Sequence, residues 1–453
     1  MGREMIKRDV DQYFELFYQK QNKALLVTGA RQTGKTFSIR RFGNTHFDCF
    51  VEINFINSPE AVSIFSNAKD RNDLLLRLSA YTQRSLIKGK TLIFFDEVQE
   101  CKDIVTAIKF LVEEGSYRYI LSGSLLGVEL NDLRSVPVGY MDVKEMFPLD
   151  FKEFIEALGI GEHVISSVQK AWEHFAPVDE FIHHKLMDLF RLYLIVGGMP
   201  AAVQKYLDTN NLREVMFEQR AIIRLYKKDI SKYDKEHKFR IEEIFDLIPP
   251  ELNAKNKRFI LKNLNENVKF SRYENSFLWL SNAGVALPVY NIDEPVAPLK
   301  FSRSRNLFKL FQNDIGLLAS QYADGIQLRI LNNDRDINFG SVYENVVAQE
   351  LHAHGFDLYY FNSKKQGELD FVIERNGVVL PVEVKSGKDY FRHNALNSVM
   401  QNADYGIPQA FVLCNNNVEK RGKIVYLPMY MLMFVRQTET APALYKIDLA
   451  GLQ

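Results

Sequence analysis

Residues 29–36 read Gly29-Ala30-Arg31-Gln32-Thr33-Gly34-Lys35-Thr36, a match to G-x-x-x-x-G-K-[ST] at every fixed position. The two glycines let the backbone turn tightly and approach an anion with no Cβ in the way. Successive N–H groups then point inward as an anion nest. Lys35 supplies a point charge for β- and γ-phosphates, and Thr36 offers a hydroxyl to Mg²⁺. An apolar, β-prone run (24–28) leads into the loop and a helical pattern from 35 to 41 leads out. Strand–loop–helix is the context that confirms this phosphate-binding loop. Residues 29–36 are therefore the expected nucleotide contacts, and ATP with Mg²⁺ the expected ligands.

Working outward, 91–97 reads Thr-Leu-Ile-Phe-Phe-Asp-Glu. Four apolar residues ending in two carboxylates predict a buried strand with acids at its carboxyl end, where open α/β sheets bind ligands. Asp96 is placed to hold Mg²⁺ with Thr36, and Glu97 to polarise an attacking water. A further strand-like run, 50–55, lies between the two motifs. That extra strand, with Glu beside Asp, points to the ASCE division of P-loop ATPases. The 117–121 run leads into Ser122-Gly123-Ser124. Ser124 is the residue expected to report the γ-phosphate.

The chain has 453 residues, which favours about two to four domains. Lys+Arg and Asp+Glu are both 57, so only local segregation of charge can argue for nucleic acid. Three scattered cysteines, Cys49, Cys101 and Cys414, give neither zinc spacing nor a disulfide framework. The N-terminus lacks the apolar stretch of a signal peptide, and no run reaches the roughly 18 apolar residues of a membrane span. A soluble, cytoplasmic protein with no membrane partner is expected.

From 148 to 235 the apolar spacing is helical: Phe151, Phe154 and Ile155 share one face, and Phe190, Tyr193, Leu194 and Gly197 repeat the pattern. This predicts a helical lid. Three helical patterns (241–247, 257–264, 272–280) and an alternating stretch (285–292) then outline a winged helix. Lys255, Lys257, Arg258, Lys262, Lys269 and Arg272 stand against one acid, Glu266. Lys300, Arg303, Arg305 and Lys309 add a second basic run. Such a local positive field attracts a phosphate backbone, so Lys255, Lys257, Arg258, Lys262 and Arg272 are the predicted DNA contacts. A solvated helical face is the alternative.

Two late runs, 367–373 (GELDFVI) and 378–385 (VVLPVEVK), read as successive strands. With a side-chain period of two, a hairpin brings Asp370 and Glu383 together as hard oxygen ligands for Mg²⁺. Lys385 then stands beside the metal, where it steadies an attacking water or developing phosphate charge. Glu344, in a helical pattern upstream, is a further expected ligand. The order Glu, Asp, Glu-x-Lys is similar to the PD-(D/E)XK nuclease fold.

GARQTGKT, LIFFDEVQE, ILSGSLLG, EMFPLDFKEF (145–154), VGGMPAAV (196–203) and the GELD…VEVK pair occur in this order. Together, over roughly residues 5–435, they resemble the prokaryotic AAA-type ATPases that carry a C-terminal PD-(D/E)XK-like domain. The resemblance implies a parallel sheet of order 5-1-4-3-2, a helical lid and ATP hydrolysis. It also likens Gly197-Gly198-Met199-Pro200 to the Gly-x-Pro turn that caps adenine, which makes Pro200 a predicted nucleotide contact. Many relatives have Gly-Arg where this chain has Gly139-Tyr140; Arg134 is the nearest replacement for that arginine. The expected fold is α/β and multidomain: an ATPase core (1–147), a helical lid (148–235), a winged helix (236–300) and a restriction-endonuclease-like domain (301–453). The expected function is ATP binding and hydrolysis coupled to DNA binding or processing. The alternative is a nucleotide-gated regulator or scaffold for a protein partner or a second copy of itself, with an inactive nuclease-like domain.

Overall fold

A computed structural model describes residues 6–66, 70–82, 85–123, 139–233, 238–254, 258–259, 273–334 and 339–437. The chain sorts into two compact units that are not contiguous in sequence. One comprises Met1–Ser166, Asp188–Pro288 and Lys309–Gln349; the other comprises Ser167–Met187, Val289–Phe308 and Glu350–Gln453.

The first unit is built on five strands: β1 (Ala24–Thr28), β2 (Cys49–Asn54), β3 (Thr91–Asp96), β4 (Arg118–Ser122) and β5 (Met141–Glu145). Their order is β2-β3-β4-β1-β5, and every neighbouring pair is parallel. Counted from the other edge this is the expected 5-1-4-3-2. Strand β3 is buried along its whole length, which is why it reads as an apolar run without alternation. Its side chains still alternate between two layers. Leu92 and Phe94 pack with Phe14, Ile39 and Phe42 on one face, while Ile93 and Phe95 pack with Leu74, Ile104 and Ile108 on the other. Truncating a ring such as Phe94 to Ala would cost about 3–5 kcal/mol.

After β5 the unit continues in helices. Asp150 caps Phe151–Ala157 by accepting from the Glu153 N–H, and the Glu153 carboxylate accepts in return from the Asp150 N–H. This capping box fixes the helix start. Phe151 packs on Phe190 and Tyr193, and Phe154 on Tyr193. Thus the two apolar repeats in the sequence meet each other. The helical segment is nonetheless shared between the units. Ser167–Met187 belong to the second unit, where Trp172 meets Phe411 edge-on and stacks with Phe434, and Asn417 bonds to both the N–H and the C=O of Val178.

The second unit holds most of an eight-stranded mixed sheet, of which Ala286–Pro288 and Lys309–Gln312 are counted with the first. Its strands are β6 (Ala286–Ile292), β7 (Arg303–Gln312), β8 (Tyr359–Ser363), β9 (Gly367–Arg375), β10 (Val378–Lys385), β11 (Ala410–Cys414), β12 (Glu419–Arg421) and β13 (Ile424–Pro428). The order is β12-β13-β11-β10-β9-β8-β6-β7. The expected winged helix maps partly onto this sheet. The stretch expected as a wing is β6, which runs parallel to β8 with Tyr290 opposite Tyr359. Its apolar alternation comes from packing in a large sheet. Of the three helices expected before it, Lys238–Asn253 and Glu274–Asn282 form. The middle one lies outside the described residues apart from Arg258 and Phe259.

Strands β9 and β10 form the expected hairpin, with Val382 opposite Phe371. The turn is Asn376-Gly377, both at positive φ (54° and 74°). Two left-handed residues match the right-handed twist of the flanking strands. Among the described residues no single helix is long and apolar enough to cross a membrane. All three cysteines are free.

Candidate functional site

The phosphate-binding loop sits between β1 and the helix Lys35–His46. Gly29 adopts φ +128°, and a Cβ there would lie 2.2 Å from the Met146 carbonyl oxygen. No other residue fits. Gly34, at φ +93°, is the N-cap residue of that helix; a Cβ on it would lie 3.5 Å from the Pro200 ring. Pro200 therefore lies beside the loop, at the first turn of Pro200–Thr209.

A cleft of about 420 Å³ opens over the loop. Arg31, Gln32, Lys35, Thr36, Asp96 and Glu97 line it, with Ser122 and Leu225. Lys35 Nζ donates to the carbonyls of Gly29 (3.0 Å) and Ala30 (2.7 Å). Burial lowers its pKa to about 8, opposed by the carboxylates of Glu97 and Asp96. Ala30 O also accepts from Thr33 Oγ1 at 3.0 Å.

Asp96 is the hub. It accepts from Thr36 Oγ1 at 3.2 and 3.4 Å, from Asn54 Nδ2 at 3.0 Å and from its neighbour's N–H, Glu97 N, at 3.1 Å. The Ser122 hydroxyl also donates to it. Parallel register explains the set: Asn54 stands opposite Asp96 at the same end of the sheet, and Ser122 ends β4 next door. Glu97 adopts a left-handed backbone (φ 58°), and its carboxylate accepts from Gln99 Nε2 at 2.5 Å.

Several of these residues were not foreseen. The Ser122 hydroxyl touches the Asp96 carboxylate; Ser124 and Arg134 lie outside the described residues. Ser122 was legible as the last residue of a strand beside β3. Asn54 was legible as the polar end of the 50–55 run. Tyr140 donates its hydroxyl to Glu113 at 2.7 Å and does not line the cleft. Arg8 underpins the loop from below: it pairs with Glu153 at 3.0 Å and donates to the carbonyls of Thr33 (2.9 Å) and Phe147 (2.7 Å). The helix Leu212–Tyr233 closes the cleft from above. Tyr226 donates its hydroxyl to Arg31 O at 3.1 Å, and Asp229 pairs with the Arg31 guanidinium. No local pattern signals contacts some two hundred residues apart.

The second unit holds the other predicted cluster. Asp370 accepts the Val384 N–H at 2.9 Å, and Glu383 pairs with Lys385 at 2.9 Å. Glu383 is buried, and that burial, with the Asp370 carboxylate beside it, pushes its pKa up; Lys385 pulls the other way. Its Oε1 has no hydrogen-bond partner among the described residues. The hairpin thus joins Asp370, Glu383 and Lys385. Glu344 belongs to the first unit, where it is buried facing Lys309 at 3.7 Å. Among the described residues no group of three or more His, Cys, Asp and Glu side chains could hold a metal ion, so the expected three-carboxylate set is not formed. Lys309, expected in a surface basic run, is fully buried. The C-terminal half of β7 is buried on both faces, Phe308 to Gln312 without a break, and Lys309 is buried with it. Of the predicted DNA contacts, Arg258 is half-buried, while Lys255, Lys257, Lys262 and Arg272 lie outside the described residues.

Residues 21–155 match the family described as an AAA domain. Residues 187–328 and 339–432 match two families described as domains of unknown function, DUF8612 and DUF4143. No curated protein matches the chain. Among solved structures it is similar to a Walker-type ATPase of Pyrococcus abyssi, at 14% identity and a TM-score of 0.42, covering 71% of this chain and 97% of that one. It is also similar to the Aeropyrum pernix ORC1 protein in complex with DNA, at 12% identity and a TM-score of 0.29, covering 74% and 94%. A third is Thermotoga maritima RuvB, at 15% identity and a TM-score of 0.28, covering 61% and 88%. The chain carries an ATPase-like AAA domain on a parallel P-loop sheet.

Proposed function

We propose that the chain binds and hydrolyses ATP in the cleft over residues 29–36, and that the second unit binds and processes DNA. The observation that carries the first part is the convergence on Asp96 of Thr36, Asn54 and Ser122, with Glu97 beside it. A hydroxyl and a carboxylate 3.2 Å apart make an all-oxygen donor set, which suits Mg²⁺. Thr36 and Asp96 would hold that ion, which when bound neutralises charge on the β- and γ-phosphates. The loop N–H groups and Lys35 bind and orient the phosphates. Glu97 polarises the attacking water. Ser122 and Asn54 fix the Asp96 carboxylate, and Pro200 borders the purine end.

In the second unit, Asp370 and Glu383 would seat a divalent cation, and Lys385 would steady charge on a phosphodiester. The buried Glu383 carboxylate with the Asp370 carboxylate beside it supports a cation there, which would offset their repulsion. The basic stretch around 254–273 belongs to the first unit and would supply phosphate contacts of its own. The second reading is a nucleotide-gated scaffold that binds a protein partner and cuts nothing. The observation favouring it is the lack of a third acidic or histidine ligand among the described residues.

The test is Mg²⁺-dependent phosphate release, and cleavage of branched, single- and double-stranded DNA with and without ATP. Glu97→Gln should keep ATP binding and slow release by about 100-fold or more, as removing a catalytic base does. Unchanged turnover in that variant moves the catalytic role elsewhere. DNA binding without a steep salt slope, or none at low salt, favours the scaffold.

A further inference from the structure

The cleft has a cation whose partner lies on another element. Arg31 belongs to the phosphate-binding loop and lines the cleft, yet its guanidinium pairs with Asp229 of the helix Leu212–Tyr233. Three residues back on that helix, Tyr226 donates its hydroxyl to the Arg31 carbonyl at 3.1 Å. Leu225, four residues before Asp229, lines the cleft itself. Positions three and four apart share one helix face. One face of this helix therefore grips both the side chain and the backbone of Arg31 and looks into the nucleotide cleft.

We propose that Arg31 is an intramolecular arginine for the nucleotide phosphates, held by Asp229 until phosphate displaces that carboxylate, so that nucleotide arrival loosens the helix from the loop. The inference rests on the ATP-binding reading above. Two observations support it. Arg31 lies four residues before Lys35 in the same phosphate-binding loop and lines the cleft with it, which places it at the phosphate end. A guanidinium fork matches phosphate oxygens as well as it matches a carboxylate, and a triphosphate brings more negative charge than the single Asp229. The other arginine of the cleft, Arg40, is differently placed: from the helix Lys35–His46 it pairs with Glu52 of β2 through two bonds of 2.6 Å. Exchange of its partner would move no outer element.

The test is a double-mutant cycle on full-length protein with Mg-ATP and Mg-ADP, read by calorimetry. Asp229→Asn removes the competing charge in an isosteric side chain. It should tighten ATP binding about fivefold, a charged hydrogen bond discounted for its partial exposure, and ADP binding less. In an Arg31→Ala background the same change should do nothing. Arg31→Lys, which keeps the charge and loses the fork, should retain part of the coupling and guards against a misfolded Ala variant. Hydrogen exchange across 212–233 should rise on ATP binding in wild type and stay flat in Arg31→Ala. Unchanged or weaker ATP binding by Asp229→Asn, or tightening that persists without Arg31, overturns the proposal alone. Wild type that binds no ATP overturns the nucleotide reading with it.

Discussion

Asp314 gives the sharpest quantitative test of how the first unit is held together. Its carboxylate is buried at the start of the helix Ile315–Ser320, accepting the N–H groups of Gly198 (2.6 Å) and Leu317 (2.9 Å). It thereby pins the Gly197-Gly198 turn that delivers Pro200 to the phosphate-binding loop. Burial pushes its pKa up to about 6 despite backbone donors from Gly198, Leu317 and Gly316. An unfolded Asp titrates near 3.8, so between about pH 4 and pH 6 the folded state holds more protons. Stability must then fall as pH rises through that window. The difference, about two pH units at about 1.4 kcal/mol each, amounts to about 3 kcal/mol above pH 7. Asp314→Asn cannot ionise. One of its two terminal groups becomes an amide N–H₂ facing a backbone donor, which costs about 1–3 kcal/mol at every pH. The variant's offset is therefore constant, and the gap between wild type and variant isolates the carboxyl. The gap should move by about 3 kcal/mol between pH 4 and pH 7, always in the variant's favour as pH rises. At about 2 °C per kcal/mol for a large domain, that is about 6 °C in relative Tm. The assay is thermal unfolding of both proteins across this pH range. A gap that stays flat, or moves toward wild type, refutes the argument that desolvation outweighs the three N–H donors.

Lys35→Ala should abolish measurable Mg-ATP binding by calorimetry while leaving the far-UV spectrum unchanged, because the loop loses its only buried ammonium among the described residues; equal binding by the two proteins would dismiss the nucleotide site. Asp370→Asn should lower both divalent-metal affinity and DNA cleavage, whereas Lys385→Ala should spare metal binding and lower the rate. Wild type that neither binds metal nor cuts any DNA form, with ATP turnover intact, would leave a second unit without nuclease function. Replacing Lys257, Arg258 and Lys262 together with Glu should weaken DNA binding equally across sequences and flatten its salt dependence, since phosphate contacts carry no base information.

Features with a backbone cause were legible in the sequence. The loop 29–36 needs glycine where φ reaches +128° and a Cβ would strike Met146 O, and such a constraint leaves the same letters wherever the loop occurs. The run 91–97 was legible because a strand buried on both faces tolerates only apolar residues until it reaches the ligand edge. The hairpin carrying Asp370 and Glu383 was legible because pleat and turn are both local. Side-chain partners were not. The 122–124 run offers two serines in one dimension, and it takes the register of β4 against β3 to bring Ser122 to the Asp96 carboxylate.

Two charged positions have partners that the sequence does not show. The charge of their neighbours places Lys309 in a basic run and Glu344 in an acidic set. They are buried facing each other at 3.7 Å. A charge is buried at large desolvation cost, so it persists inside only beside an opposite charge. That partner is fixed by tertiary packing, here between a strand and a helix more than thirty residues apart. Composition counts both residues as exposed by default. The same logic runs in reverse at Arg31, where a P-loop cation is paired with Asp229 at a distance of 198 residues in sequence. Where a loop built to hold phosphate instead holds a carboxylate from another element, the two anions compete for one guanidinium, and the element that donates the carboxylate becomes responsive to the nucleotide.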